Sequence, residues 1–122
     1  MNRSSLDWKT KRRVVAVSDF ELSDLGDGRF ALCGDMSFDT VEQILRASEK
    51  LFDGQSNIEV DLSGVAKTDS AGLALLLEWI ASAKHSKREI RFVEVPVKVL
   101  DIAQTTEVDD FLKRSYSSSS NI

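Results

Sequence analysis

The chain has 122 residues, of which 42% are hydrophobic and 30% charged, with a formal net charge of −4 and one cysteine. These values are typical of one soluble globular domain and exclude a nucleic-acid binder that relies on a broadly basic surface. A single cysteine excludes an intramolecular disulfide. The longest apolar run, residues 71–77, is far shorter than the ~20 residues of a membrane-spanning helix. We therefore expect a cytoplasmic protein that does not itself insert into a membrane.

Both ends of the chain are predicted to lie outside the folded domain. Residues 1–16 contain a cluster of basic side chains and are expected to form a flexible extension. Residues 114–122 form a serine-rich tail with little to bury, and this tail is expected to be disordered. A single domain would then span residues 17–113.

The first half of this domain is predicted to form a β-hairpin and then a helix. One strand precedes Asp27-Gly28, a hairpin signal because glycine tolerates a positive φ, and a second strand covers 29–34. An amphipathic helix follows, and Ser37 or Asp39 can serve as its N-cap.

The second half contains two further strand–helix units. Residues 58–65 alternate apolar and polar side chains as a half-buried strand does, and a helix pattern then runs to about Lys84 or Lys87. A strand over 90–95 is ended by Pro96, which can open the last helix. This order of elements predicts an α/β domain in which a small mixed sheet of about four strands packs against three to four helices.

A carboxylate and two hydroxyl groups lie where the central strand passes into its helix, at Thr68, Asp69 and Ser70. Unpaired backbone N–H groups and the helix dipole favour negative charge at such a position. The simplest role is an N-cap by Asp69 or Ser70, worth about 1 kcal/mol. Because helix N-termini bind phosphate readily, the pattern also allows weak nucleotide binding here.

Two large apolar residues are predicted on the exposed face of the central helix. With Leu73 at zero and about 100° per residue, Leu75 and Trp79 fall near 200° and 240°, opposite the core face. Tryptophan is over-represented among interface anchors, so this pair predicts a hydrophobic partner surface. In the alternative interpretation, the N-terminal segment with Leu6 and Trp8 folds back and covers the pair.

The residue types needed for catalysis or metal binding are not grouped in this sequence. His85 is the only histidine and lies near a helix end, and Cys33 lies in an apolar strand-like run as a buried small hydrophobe would. The segment 26–28 lacks the lysine of a phosphate-binding loop. We therefore predict neither an enzyme nor a cofactor or metal site.

The residues around the central junction resemble the signature of the STAS domain family. The resemblance covers roughly residues 20–112 and rests on Asp61-Leu62-Ser63-Gly64-Val65 followed by Thr68-Asp69-Ser70-Ala71-Gly72-Leu73. Within that family, the run 72–77 and the later Ala83-Lys84 are similar to the MlaB-type subunits of Mla phospholipid-transport ABC complexes. Those subunits typically carry threonine at the position of Ser70 and glycine at that of Ala71.

The similarity to MlaB-type subunits implies a non-catalytic protein that binds the cytoplasmic, MlaF-like ATPase of a Gram-negative transporter. Such transporters move phospholipids and maintain outer-membrane lipid asymmetry. The protein would lie at the inner membrane through the complex, touching the permease only indirectly. The predicted partner-binding residues are Thr68, Asp69, Ser70, Gly72, Leu75 and Trp79. An exposed apolar pair would also allow a homodimer without the partner.

Ser70 keeps a second function open. In the anti-sigma-factor antagonists, which share the STAS domain, a serine at this position is phosphorylated, and the modification releases a kinase-type partner. Phosphorylation of Ser70 would add roughly −1.5 to −2 units of charge at a helix N-terminus, where the fold tolerates it. The alternative function is therefore an anti-sigma-factor antagonist switched at Ser70.

Overall fold

The computed structural model describes residues 13–17 and 19–105, which form five strands and three helices. The elements in chain order are β1 (Arg13–Ala16), β2 (Phe20–Gly26), β3 (Arg29–Met36), α1 (Val41–Leu51), β4 (Asn57–Thr68), α2 (Ser70–His85), β5 (Glu89–Val93) and α3 (Val97–Thr105). The predicted α/β class and the order of elements from β2 onward are confirmed, and the sheet has one strand more than expected. The predicted tail, 114–122, lies outside the described residues.

The five strands form one mixed sheet in chain order, from β1 at one edge to β5 at the other. The first three strands are antiparallel, whereas β3, β4 and β5 are parallel. Helices α1 and α2 connect the parallel strands and step in the same direction across the sheet. Because such connections are right-handed, both helices lie on the same face, where α2 packs between α1 and α3.

Strand β1 lies within the segment that the sequence analysis assigned to a flexible extension. Its first residue, Arg13, donates a 3.0 Å hydrogen bond to the carbonyl of Leu51 at the end of α1. The Arg13 guanidinium also lies 3.6 Å from the carboxylate of Asp24, which is only 5% exposed. The folded domain therefore extends to residue 13 at least, because this arginine joins the edge strand to the helical layer.

The hydrophobic core lies between the helices and the inner face of the sheet. Strand β4 shows the pattern, since Ile58, Val60 and Leu62 are buried while Glu59 and Asp61 alternate with them and are half-buried. None of the three described helices has the length and apolar character that a bilayer-spanning segment needs.

Leu75 and Trp79 are buried, at 3% and 2% exposure, so the predicted exposed apolar pair is wrong. Helix α2 contacts α1, α3 and the sheet, and a helical wheel that assumes one buried face cannot show three-sided burial. The indole Nε1 of Trp79 donates a 2.8 Å hydrogen bond to Ser48 Oγ on α1. Its ring lies 5.5 Å from that of Phe52 and 6.2 Å from that of Phe92. Helix α1 therefore covers part of this apolar pair. In the alternative interpretation, the N-terminal segment covers it, but residues 1–12 lie outside the described residues.

Candidate functional site

The junction between β4 and α2 places the predicted polar residues at one end of the central helix. Strand β4 ends at Thr68 and α2 begins at Ser70, so that Asp69 is the N-cap with extended backbone angles. The Oδ1 atom of Asp69 accepts a 2.9 Å hydrogen bond from the N–H of Ala71. Of the two residues proposed as caps, Asp69 therefore has this role.

The second oxygen of Asp69 joins this junction to the loop between β3 and α1. Its Oδ2 atom accepts a 3.2 Å hydrogen bond from the N–H of Phe38. Because both oxygens are occupied by backbone donors, the carboxylate holds the two loops in a fixed relation. Asp69 is thus a positioning residue at the centre of the candidate site.

Ser70 is the first residue of α2 and its side chain is exposed to solvent. Its neighbour Thr68 is half-buried at the end of β4. An exposed hydroxyl at this position is accessible to a docking partner or to a kinase without unpacking of the core. The structure therefore brings Thr68, Asp69 and Ser70 together, with Ser70 as the outermost of the three.

Gly72 is buried, and its lack of a side chain lets α2 approach the neighbouring strands of this chain closely. A Cβ atom at this position would lie 2.3 Å from Thr68 Oγ1 and 2.9 Å from the carbonyl oxygen of Met36. Both distances are too short for a real contact, so glycine lets the first turn of α2 sit directly on the ends of β3 and β4. The structure thus gives Gly72 a packing role within the chain, and its place at a partner interface stays a prediction.

Gly72→Ala is expected to destabilise the fold by about 1–3 kcal/mol through overpacking. Helix propensity alone predicts the opposite, a gain of about 1 kcal/mol, because alanine is the better helix former. Urea denaturation followed by circular dichroism measures the free energy of unfolding. Ala74→Gly, at an exposed position of the same helix, is the control and should lose about 1 kcal/mol. A stabilised Gly72→Ala variant would contradict the packing role.

The N-cap of α1 is Thr40 and not Ser37 or Asp39, the two residues predicted for this position, and the Thr40 side chain holds the loop before the helix. Thr40 is the N-cap residue of α1, although its side chain makes no capping bond. Its buried hydroxyl instead accepts from the N–H of Ser37 and donates to the carbonyl of Asp35, both at 3.0 Å. This closed turn fixes the backbone of Phe38 beside Asp69.

The Phe38 side chain is 81% exposed, and Phe38 was not among the predicted site residues. Its exposure has no signal in the sequence, because an aromatic residue between a strand and a helix is ordinarily part of the core. An exposed phenylalanine on a rigid loop next to Ser70 has the character of an interface anchor. We therefore add Phe38 to the candidate site.

The described residues contain no group of three or more His, Cys, Asp or Glu side chains that could hold a metal ion. Cys33 is exposed, in contrast to the buried position expected of it. The alternation of β3 explains this outcome: Phe30 and Leu32 face the core, so Cys33 faces the side of the sheet that the described helices leave open. It pairs with Gly64, where a Cβ atom would lie 2.5 Å from the Cys33 sulfur.

Comparison with known families finds one match that covers most of the chain. The sequence profile described as "Mlab, STAS domain" matches residues 22–113. No curated protein matches the chain significantly.

Solved structures that resemble this fold include an anti-sigma factor antagonist and an anion transporter. The anti-sigma factor antagonist SpoIIAA in its unphosphorylated form is 18% identical with a TM-score of 0.54, and the match covers 77% of this chain and 97% of that one. The murine anion transporter Slc26a9 in its inward-facing state is 16% identical with a TM-score of 0.59. That match covers 92% of this chain but only 21% of the transporter's chain. At these identities the likeness shows the fold alone.

Proposed function

Because this chain belongs to the STAS domain family and matches its MlaB-type profile, we propose that it binds and regulates the ATPase of a Mla-type ABC transporter. The subunit would be non-catalytic, and the transporter would move phospholipids for outer-membrane lipid asymmetry. It would reach the inner membrane through the complex and contact the permease only through the MlaF-like ATPase.

The observation that carries this proposal is the pair formed by Ser70 and Phe38 around the Asp69 carboxylate. Both side chains are exposed, and the backbone of each loop is held by a bond to Asp69 or by the turn at Thr40. Such a surface offers a partner one apolar anchor and one hydroxyl in a preorganised arrangement. Preorganisation favours association, because little side-chain and loop entropy remains to be lost on binding.

The burial of Leu75 and Trp79 changes their part in this proposal. Both side chains lie in the core and pack α2 against the rest of the domain, and Gly72 allows similarly close packing at the first turn of α2. The partner would instead touch Phe38, Ser70 and the half-buried Thr68. By binding the ATPase, the domain would stabilise the assembly and tune hydrolysis without performing it.

Ser70→Glu is expected to lower the affinity for the purified Mla-type ATPase subunit of the same organism by about tenfold or more. A negative charge in a desolvated contact is unfavourable, whereas a glutamate in the first turn of a free helix is tolerated or slightly stabilising. The dissociation constant can be measured by titration calorimetry, beside an unfolding curve for each variant. Ser70→Ala should weaken binding much less than Ser70→Glu does, because it removes the hydroxyl without adding a charge.

Ser82→Glu, at an exposed position of the same helix, introduces the same charge away from the site and should leave the affinity unchanged. Equal binding by Ser70→Glu and Ser82→Glu would contradict the proposed contact surface. Failure of the wild-type chain to bind the ATPase would contradict the function itself.

The exposed Ser70 hydroxyl also favours a second candidate, the anti-sigma-factor antagonist. A phosphate on Ser70 would face the N–H groups at the start of α2, which favour anions, and would alter the surface without disturbing the core. A kinase-type anti-sigma factor should then phosphorylate the wild-type chain in the presence of ATP and leave Ser70→Ala unmodified. Mass spectrometry of the product distinguishes this function from the transporter function.

A further inference from the structure

A groove of about 280 Å³ separates α1 from α2 and opens to solvent. Its lining is mainly apolar and consists of Val41, Leu45, Ala71, Ala74 and Leu75, with Glu42 and Glu78 on its walls. The two alanines leave the space between the helices free of long side chains. The groove therefore exposes apolar side chains of both helices, and Leu75, which is largely buried, lines its base.

The two glutamates give this groove an acidic rim. Glu42 lies on α1 and Glu78 on α2, and both side chains are exposed. Glu42 pairs with Arg46 at 3.2 Å, but both members of the pair are largely exposed and solvent screens their attraction. A partner that places an apolar side chain in the groove and cations at both walls would complement this arrangement.

The open shape of the groove favours a protein helix over a small ligand. Small-molecule sites usually surround most of the ligand, whereas this groove is open along one side between the two helices. Amphipathic helices bind such grooves by laying an apolar stripe between two walls. The groove also begins beside the first turn of α2, which Asp69 ties to the loop of Phe38. It is thus continuous with the proposed docking surface.

We propose that this groove docks a basic amphipathic helix of the ATPase partner, with an apolar side chain between α1 and α2. Lysine or arginine residues of that helix would face Glu42 and Glu78. The inference rests on the proposed function, because the ATPase is the partner that supplies the helix.

The test compares two double variants that change the net charge equally. Glu42→Lys with Glu78→Lys reverses the rim, and Glu89→Lys with Asp101→Lys reverses two exposed acids on β5 and α3. Stopped-flow association with the purified ATPase subunit should be slowed about tenfold by the rim variant at low salt. This difference should largely vanish near 1 M salt, where the Debye length is about 3 Å. The control variant should associate nearly as the wild type does.

Two results separate failure of this inference from failure of the proposed function. If the wild-type chain binds the ATPase and both double variants slow association equally, the groove is not the docking site although the function stands. If the wild-type chain does not bind, both proposals fail. Should the charge reversal disturb folding, as judged by circular dichroism, Glu42→Gln with Glu78→Gln keeps the side-chain size and should still slow association relative to the wild type at low salt. Association at the wild-type rate would then overturn the inference.

A photoreactive p-benzoylphenylalanine in place of Ala74 identifies the occupant directly. Irradiation of the complex should crosslink this position to an ATPase peptide that has an apolar stripe flanked by lysine or arginine. A crosslink to a second copy of this chain, or to a peptide without basic residues, would overturn the inference.

Discussion

Trp79→Ala is expected to destabilise the protein by about 3–5 kcal/mol. The indole is 2% exposed, lies between the rings of Phe52 and Phe92, and donates a hydrogen bond to Ser48. Its removal would leave a cavity between α1, α2 and the sheet, and would also leave the Ser48 hydroxyl without this donor. Because small domains are stable by only about 5–15 kcal/mol, the substitution removes a large share of the total. Urea denaturation followed by far-ultraviolet circular dichroism measures the loss.

Two controls separate the contributions to this effect. Trp79→Phe keeps most of the ring volume but deletes the donor to Ser48, so it should destabilise the fold less than alanine does. Glu78→Ala, at the exposed position next to it, should change the free energy of unfolding by no more than about 0.5 kcal/mol. A folded Trp79→Ala variant with an unchanged urea midpoint, defective only in partner binding, would show that Trp79 is an interface residue after all.

The elements that could be predicted from the sequence are those whose signals are local. The alternation along β4 and the cap at Asp69 depend on residues within a few positions of each other. The Asp27-Gly28 turn is equally local, and Asp27 adopts a positive φ of 58° in the structure. Such signals place the polar junction at the start of α2 without any knowledge of tertiary contacts.

The features that were missed depend on contacts between residues distant in the chain. Strand β1 is held by Arg13, whose partners Asp24 and Leu51 come 11 and 38 positions later, as their numbers show. The burial of Trp79 depends on Ser48 and α1, which no periodicity within α2 can reveal. A helix that packs between two others has apolar residues on more than one face, and sequence alone cannot distinguish the second apolar face from an exposed patch.

Phe38→Ala is expected to lower the affinity for the ATPase subunit by about thirtyfold, the effect of losing an anchor worth about 2 kcal/mol. The ring is 81% exposed in the free protein, so its removal should change the free energy of unfolding by no more than about 0.5 kcal/mol. This combination of lost binding with retained stability is the reverse of the effect expected for Trp79→Ala. Titration calorimetry and urea denaturation on the same preparation measure both quantities.

Val97→Ala provides the matched control, because Val97 is 71% exposed at the start of α3 and lies outside the proposed surface. Removing this apolar side chain should leave both affinity and stability nearly unchanged.

The exposed ring of Phe38 could also contact a second copy of the chain, because it is an apolar anchor on a fixed loop. If Phe38→Ala abolishes self-association but binds the ATPase as tightly as the wild type does, the ring belongs to a homodimer interface and the partner must dock elsewhere. If the variant loses ATPase binding while Val97→Ala keeps it, the partner surface is centred on the junction that Asp69 holds together.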